Sequence, residues 1–251
     1  MRAIAFMSSH SGRFHVRMVR GFSLIEVAIA VFIISLLLGS ILVPLSTQVE
    51  QRKTGDNQKT LDDIRQALLG FALAYGYLPC PDMTTAGPGA NDGQEDVNAG
   101  VCVTNEGNLP WATLGVTGYD SWGNRHRYRV HPSFSQRAPA TLFTLSTTSN
   151  LQVCADQGCG TSLTTVTDGP PAVVLSHGKN GYGAINSITN TVNPAPTSLG
   201  ELANTNGTAD TVYVSHTLSD IGSTTGEFDD NVVWLSREIL LNRMVAGGRL
   251  P

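Results

Sequence analysis

Phe22 to Val43 form an apolar run whose only ionisable residue is Glu26, close to its start. The run exceeds the roughly 18 residues that mark a membrane-spanning helix. A secretory signal is different, with an apolar region of about 7–15 residues that ends at a small-x-small cleavage site. PLSTQVEQRKTG, which follows Val43, offers no such site. Arg2, Arg13, Arg17 and Arg20 precede the run and none lies within it, which predicts a cytoplasmic N-terminus and export of everything after Val43.

The same arginines dominate the charge balance. The chain of 251 residues carries a net charge of −4, and its first 21 residues hold four positives and no acid, so the remainder stands at −8. With 7% aromatic residues and no basic stripe, this balance excludes a nucleic-acid partner. The length fits one sizeable domain or two small ones.

The stretch Gly21-Phe22-Ser23-Leu24-Ile25-Glu26, behind a basic leader and directly ahead of an apolar helix, resembles the processing site of type IV pilins and type II secretion pseudopilins. The resemblance implies cleavage after Gly21 by a membrane prepilin peptidase and N-methylation of the new N-terminal Phe22. It also implies an assembly role for Glu26. The leader is longer than the family's shortest, which leaves Met7 and Met18 as alternative translation starts.

Cleavage there would explain the buried charge. A carboxylate in hydrocarbon costs roughly 2.5–3.5 kcal/mol at mid-helix and less near an interface. A free ammonium on Phe22 would lie one turn from Glu26 and within reach of a neighbouring subunit's Glu26. Opposite charges ~4 Å apart at an effective dielectric of about 20 gain about 4 kcal/mol, enough to offset that cost. The competing account is a snorkelling interfacial glutamate in an ordinary single-pass anchor.

Beyond the run, Pro44 removes a backbone donor and Gly55 lowers helix propensity, which predicts a kink or local melting around Gly39 to Pro44. Leu61, Ile64, Leu68, Leu69 and Phe71 to Leu73 then recur at helical spacing, with a stop at Gly76 and Pro79 just beyond. HRYRVH, TLFTLS, AVVLSH, TVYVSH and NVVWLS read as strands. Residues 82–108 read as loop, 186–209 as a variable surface insertion, and SREILLNRMV as a short amphipathic helix. The expected fold class is α+β and pilin-like: a long N-terminal helix, transmembrane over about 22–43, whose second half packs on an antiparallel sheet of four or five strands. The expected divisions are a leader at 1–21, a spine helix at 22–78 and an exported β-rich head at 79–251.

Two shorter stretches extend the resemblance. Asp120-Ser121-Trp122-Gly123-Asn124, followed by Tyr128, is similar to the Asp-Pro-Trp-Gly-Asn turn of secretion pseudopilins, with Ser121 in place of Pro. Its Asp can accept local backbone hydrogen bonds, and Trp122 offers an anchor on the helix. SHGKNGYGA and EFDDNVVWLS resemble the family's late glycine-rich turn and last strand.

Cys80, Cys102, Cys154 and Cys159 lie on the exported side, where thiols are oxidised. Four cysteines allow three pairings; Cys80–Cys102 and Cys154–Cys159 each close a short loop and are the expected ones. Paired CxxC spacing for zinc is absent. Asp92, Glu95, Asp96 and Asn98 offer hard oxygens in one loop, and Glu227, Asp229 and Asp230 offer more near the C-terminus. A solvated acidic loop is the favoured account of such residues. The alternative comes from the resemblance: secretion pseudopilins carry calcium in their late loop, which makes Asp229 and Asp230 the candidate ligands of a structural calcium ion, although this loop departs from the family's in composition and length. His126, His131, His177 and His216 are expected at the surface or strand edges. No HExxH, GxSxG, GxGxxG or Walker-type pattern is present, and no catalytic residue or required cofactor is expected.

These readings converge on a non-enzymatic structural subunit, a pilin or pseudopilin of a type IV pilus-like filament or a type II secretion pseudopilus. Its implied partners are prepilin peptidase, other pilin subunits and an inner-membrane assembly platform. It would sit in the bacterial inner membrane with its head in the periplasm, then in a filament. The alternative is a single-pass anchored periplasmic binding or enzymatic domain.

Overall fold

Gly76 ends a helix that begins at Leu24: it adopts φ +87° and its N–H bonds the carbonyl of Ala72 at 2.7 Å. That left-handed conformation is open to glycine and closed to most side chains, which terminates the helix. The computed structural model describes residues 21–83, 89–138, 142–165, 167–205, 211–224 and 226–250. The expected leader before Gly21, with Met7 and Met18, lies outside them. The described residues fall into two units that divide between Val49 and Glu50.

In the first unit α1 (Leu24–Tyr75) runs without a break through Gly39 and Pro44, so the expected melting is absent. The side chains of 39–45, which overlap the expected span at 22–43, are outside those described. Among the described residues no helix is long and apolar enough to cross a membrane.

In the second unit the remainder of α1 buries one stripe. Asn57, Leu61, Ile64, Leu68 and Ala72 are almost fully buried, whereas Asp63, Gln66 and Gly70 on the opposite side are exposed. Spacing of three or four residues places the stripe on one face. It packs on an antiparallel sheet ordered β3 (Glu106–Asn108), β4 (Arg127–Val130), β6 (Ala172–Ser176), β8 (Asn231–Leu235). Strand alternation presents Tyr128, Val130, Ala172, Val174, Val233 and Leu235 to the helix, and these side chains form one cluster with it. Each fully buried Leu or Ile contributes roughly 1.5–3 kcal/mol relative to exposure.

The far face of the sheet is covered separately. Val173, Leu175, Val232 and Trp234 pack with Leu151, Val153 and Tyr213. The last two belong to β5 (Gln152–Cys154) and β7 (Val212–Val214), which pair in parallel. TVYVSH therefore forms a strand but joins a second, parallel ribbon instead of the expected antiparallel sheet. TLFTLS forms none over its described residues, 142–146. There Thr147 and Thr144 bond each other's backbone and hydroxyl groups, and Arg237 donates to the carbonyls of Leu145 and Thr147, so a turn and a side chain serve groups that a ladder would have used.

The stretch expected as loop at 82–108 holds a small hairpin, β1 (Val97–Asn98) with β2 (Val101–Cys102), as well as edge strand β3. One-turn helix α2 (Trp111–Leu114) follows. The expected surface insertion contains α3 (Leu199–Ala203), capped by Ser198, with Glu201 and Ala203 buried. C-terminal helix α4 (Arg237–Ala246), capped by Ser236, buries Leu240, Leu241 and Met244 in the main core. Arg249 then donates to the terminal α1 carbonyls of Leu73 and Ala74.

Leu68 has 1% of its surface exposed at the centre of this core. Leu68→Ala is expected to cost about 2–5 kcal/mol in urea unfolding of the detergent-solubilised chain. Gln66→Ala on the exposed side should stay within about 0.5 kcal/mol of the parent.

Candidate functional site

In the first unit, the helix start is built from the residues expected to be processed. Ser23 precedes the first helical residue, and its Oγ accepts the Glu26 N–H at 3.3 Å. Glu26 Oε2 in turn accepts from the Ser23 N–H and Oγ, each at 3.1 Å. This reciprocal capping box satisfies two helix-end donors, and its Ser-x-x-Glu pattern was readable in the sequence. Gly21 and Phe22 lie exposed just ahead of it.

From there the helix is apolar all round and exposed. Phe22, Leu24, Ile25, Val27, Ile29 and the apolar residues from Val31 to Leu38 each expose half or more of their surface. Ser35, the polar residue among them, donates to the Val31 carbonyl at 2.7 Å and so presents no unmet donor. Such a surface is stable in hydrocarbon or against other apolar helices.

In the second unit, the three stretches similar to pseudopilin turns converge. Asp120 Oδ1 accepts from the Trp122 and Asn124 N–H groups at 3.0 and 2.9 Å, and its Oδ2 accepts from Ser176 Oγ at 2.7 Å. Burial raises the Asp120 carboxyl pKa, partly opposed by these bonds. Trp122 Nε1 donates to Glu50 of α1 at 2.9 Å, which anchors the turn on the helix. The glycine-rich turn continues from Ser176 to Asn180, whose N–H meets Asp229 Oδ2 at 2.8 Å. Gly178 is required there: it has φ +59°, and a Cβ would fall 2.3 Å from the Asp229 carbonyl oxygen.

Asp229 and Asp230, on the segment leading into β8, are joined by Glu201 of α3, with one carboxylate oxygen of each within 4.8 Å of the others. Asn180 Nδ2 and the Asp229 N–H donate to Glu201 Oε1, and Asn204 Nδ2 donates to Asp230 Oδ2 at 2.7 Å. Asp229 Oδ1 and Asp230 Oδ1 are buried and have no hydrogen-bond partner. Burial, with Asp230, Glu201 and Glu227 nearby, raises the Asp229 carboxyl to about 7. Burial also raises Glu201. Three carboxylates drawn this close suit a hard divalent cation, which takes oxygen ligands and offsets their repulsion. Glu201 was not identified from sequence, because nothing local in LGELA marks it and only the fold carries it 28 residues back to Asp229.

The other acidic loop is used differently. Asp92 accepts from the Gln94 N–H, Asp96 accepts from the Met83 N–H, and Glu95 accepts from the Cys80 N–H and pairs with Arg137. Those carboxylates hold backbone, and none joins a metal-competent group among the described residues. Cys80 is bonded to Cys102 and Cys154 to Cys159, with Cα separations of 5.2 and 5.1 Å.

The histidines depart from expectation. His126 and His177 are almost fully buried and do not lie at the surface, because His126, just ahead of β4, continues its alternation toward the helix side, and His177, just past β6, packs on Asp230, 3.4 Å away. Burial, then the neighbouring His177, lowers His126 to about 4. His131 accepts from the Ser133 N–H, and His216 stacks on Phe228 at 3.8 Å.

Residues 16–42 match the family model of the prokaryotic N-terminal methylation motif. The chain carries a prepilin-type signal, the signal of type IV pilins and pseudopilins. The match spans the basic approach, Gly21, Phe22, the capping pair Ser23 and Glu26, and nearly all of the apolar run. No curated protein and no solved structure matches the chain.

The burial of His126 has a pH signature. Its folded value of about 4 lies below the ordinary 6.5, so unfolding takes up a proton between them. Stability contributed by the neutral ring is complete above about 6.5 and is lost as pH falls toward about 4. His126→Gln should lose less stability than the parent over that window in urea titrations, and equal slopes would contradict the assignment.

Proposed function

We propose that this chain is a structural subunit, a pilin or pseudopilin, of a type IV pilus-like filament or a type II secretion pseudopilus. The observation that carries the reading is the methylation-motif match lying on a helix whose apolar surface is exposed all round. Prepilin peptidase cleaves after Gly21 and the new N-terminal Phe22 is methylated. Before assembly the helix from Phe22 is held in the bacterial inner membrane, with the N-terminus cytoplasmic and the head periplasmic. In the filament it packs against the same helix of other subunits, recruited through an inner-membrane platform. Assembly needs no catalytic group in this chain, since cleavage and methylation are performed on it.

Glu26 has two roles in this scheme. In the unprocessed chain it caps the helix through Ser23. After cleavage the Phe22 ammonium becomes its electrostatic partner, its own or a neighbour's, and sets the axial register of packing.

Asp229 and Asp230, with Glu201, hold a structural calcium ion that fixes the late loop. The orphaned Asp229 Oδ1 supports this reading. The ion ties α3 to the start of β8 and has no part in bond chemistry.

The first test is the N-terminal mass of membrane-bound protein made with and without a prepilin peptidase. The expected product begins at Phe22 and is heavier by one methyl group; an intact leader beside an active peptidase would sink the filament reading in favour of an anchored periplasmic domain. Glu26→Ala is expected to be cleaved normally yet to lose filament incorporation. For the ion, calcium at about 100 times its Kd should stabilise the chain by about 2.7 kcal/mol. Chelation should remove that gain, and Glu201→Gln should abolish it. Thermal unfolding unchanged by calcium would exclude the site.

A further inference from the structure

We propose that a second copy of this chain lays its residues 217–221 along the free edge of β8 and adds a strand to the four-stranded sheet. This goes beyond assembly through the apolar helix, because both surfaces belong to the second unit and use none of the residues assigned to processing or to the calcium ion.

Hydrogen-bond alternation fixes what the edge offers. The His131 N–H donates to the Pro171 carbonyl at 2.8 Å, which sets the β4–β6 ladder so that Val173 and Leu175 turn their backbone groups toward β4. Ala172, Val174 and Ser176 therefore bond Leu235, Val233 and Asn231 of β8. Val232 and Trp234 are left with N–H and C=O groups directed away from the sheet, and among the described residues these groups have no partner. β8 is the last strand in its sheet, and unpaired backbone groups at such an edge are a template for a further strand.

Beside that edge runs a groove of about 490 Å³ between β8, α1 and α4. Leu69 and Ile239 give it an apolar lining, Arg65 and Arg243 give it positive charge, and no acid is among its lining residues. Arg65 already pairs with Asp62 at 3.0 Å. Arg243 is exposed on α4 and forms no ion pair among the described residues. The groove therefore suits an extended segment that offers backbone groups, an apolar side chain and a carboxylate together.

Residues 217–221, Thr-Leu-Ser-Asp-Ile, carry that combination. Ser219 exchanges both backbone hydrogen bonds with Phe228 at 2.9 Å, so the backbone groups of Leu218 and Asp220 point away from this pairing. The Asp220 carbonyl is taken by the Ser223 N–H at 2.9 Å, which leaves the Leu218 N–H and C=O and the Asp220 N–H for a partner strand. Leu218 is 58% exposed, and Asp220 is exposed and forms no ion pair among the described residues. Side chains two apart share a face, so pairing through Leu218 and Asp220 directs both to one side. On the helix side of the β8 edge, the leucine meets Leu69 and Ile239 and the carboxylate meets Arg243. Two β8 edges paired on each other would instead set arginines against arginines. The exposed apolar pair Ile188 and Val192 has no acid between its members.

The test uses the full, unprocessed chain in detergent, with Ile239 replaced by the photo-cross-linker p-benzoylphenylalanine and mixed with an isotope-labelled copy. Ile239 is 51% exposed, so the replacement leaves the core intact. Mass spectrometry should find cross-links between copies that join this site to residues 217–221. Asp220→Arg and Arg243→Asp should each lower their yield by about fivefold or more, and the two reversals combined should restore it to within about twofold of the parent. Amide exchange at Val232 and Trp234 should slow as the chain concentration rises. The proposal is overturned if cross-links between copies are absent or map elsewhere, from one Ile239 site to another included. A yield unmoved by the charge reversals, or exchange at both amides that ignores concentration, would overturn it equally. None of these outcomes bears on cleavage after Gly21, which the N-terminal mass reads separately.

Discussion

The contact between one stripe of α1, from Asn57 to Ala72, and the near face of β4, β6 and β8 is the interaction on which the head depends. It decides which side of every strand is apolar, and by alternation which side carries Arg125, Arg127 and Arg129. α4 closes the same core from its other end, and Arg249 returns to the final carbonyls of α1. The far-face ribbon of β5 and β7 is held by Tyr213, whose hydroxyl meets Glu106 among the arginines. A buried carboxylate with three donors is an acceptable interior group; the same carboxylate without them would be costly.

The first part of α1 carries a different surface. Its side chains are apolar on all sides and expose half or more of their surface, which water penalises and hydrocarbon does not. In hydrocarbon each polar group would need an internal partner. Ser35 finds one in the Val31 carbonyl, and Glu26 finds one in Ser23.

Local pattern made much of this legible. The stop at Gly76, the buried spacing of Leu61, Ile64 and Leu68, the strands at HRYRVH, AVVLSH and NVVWLS, and the helix at SREILLNRMV all follow from periodicity and turn chemistry that act within a few residues. TLFTLS failed where Arg237, some ninety residues away, occupied the carbonyls a ladder would have taken. TVYVSH is a strand by composition, but its parallel partner was set by the far-face core. His126 and His177 resemble surface residues until the packing of β4 against α1 and of β6 against Asp230 removes them from water.

Sequence alone determined the prepilin-type signal, because it consists of contiguous residues whose order is itself the recognised feature, and it determined the amphipathic half of the spine by spacing. Only the tertiary structure brought Glu201 to Asp229 and Asp230 and drew the Asp120 turn onto Ser176. Those sites depend on residues far apart in the chain. Their proximity follows from how the core packs, and no local propensity encodes that.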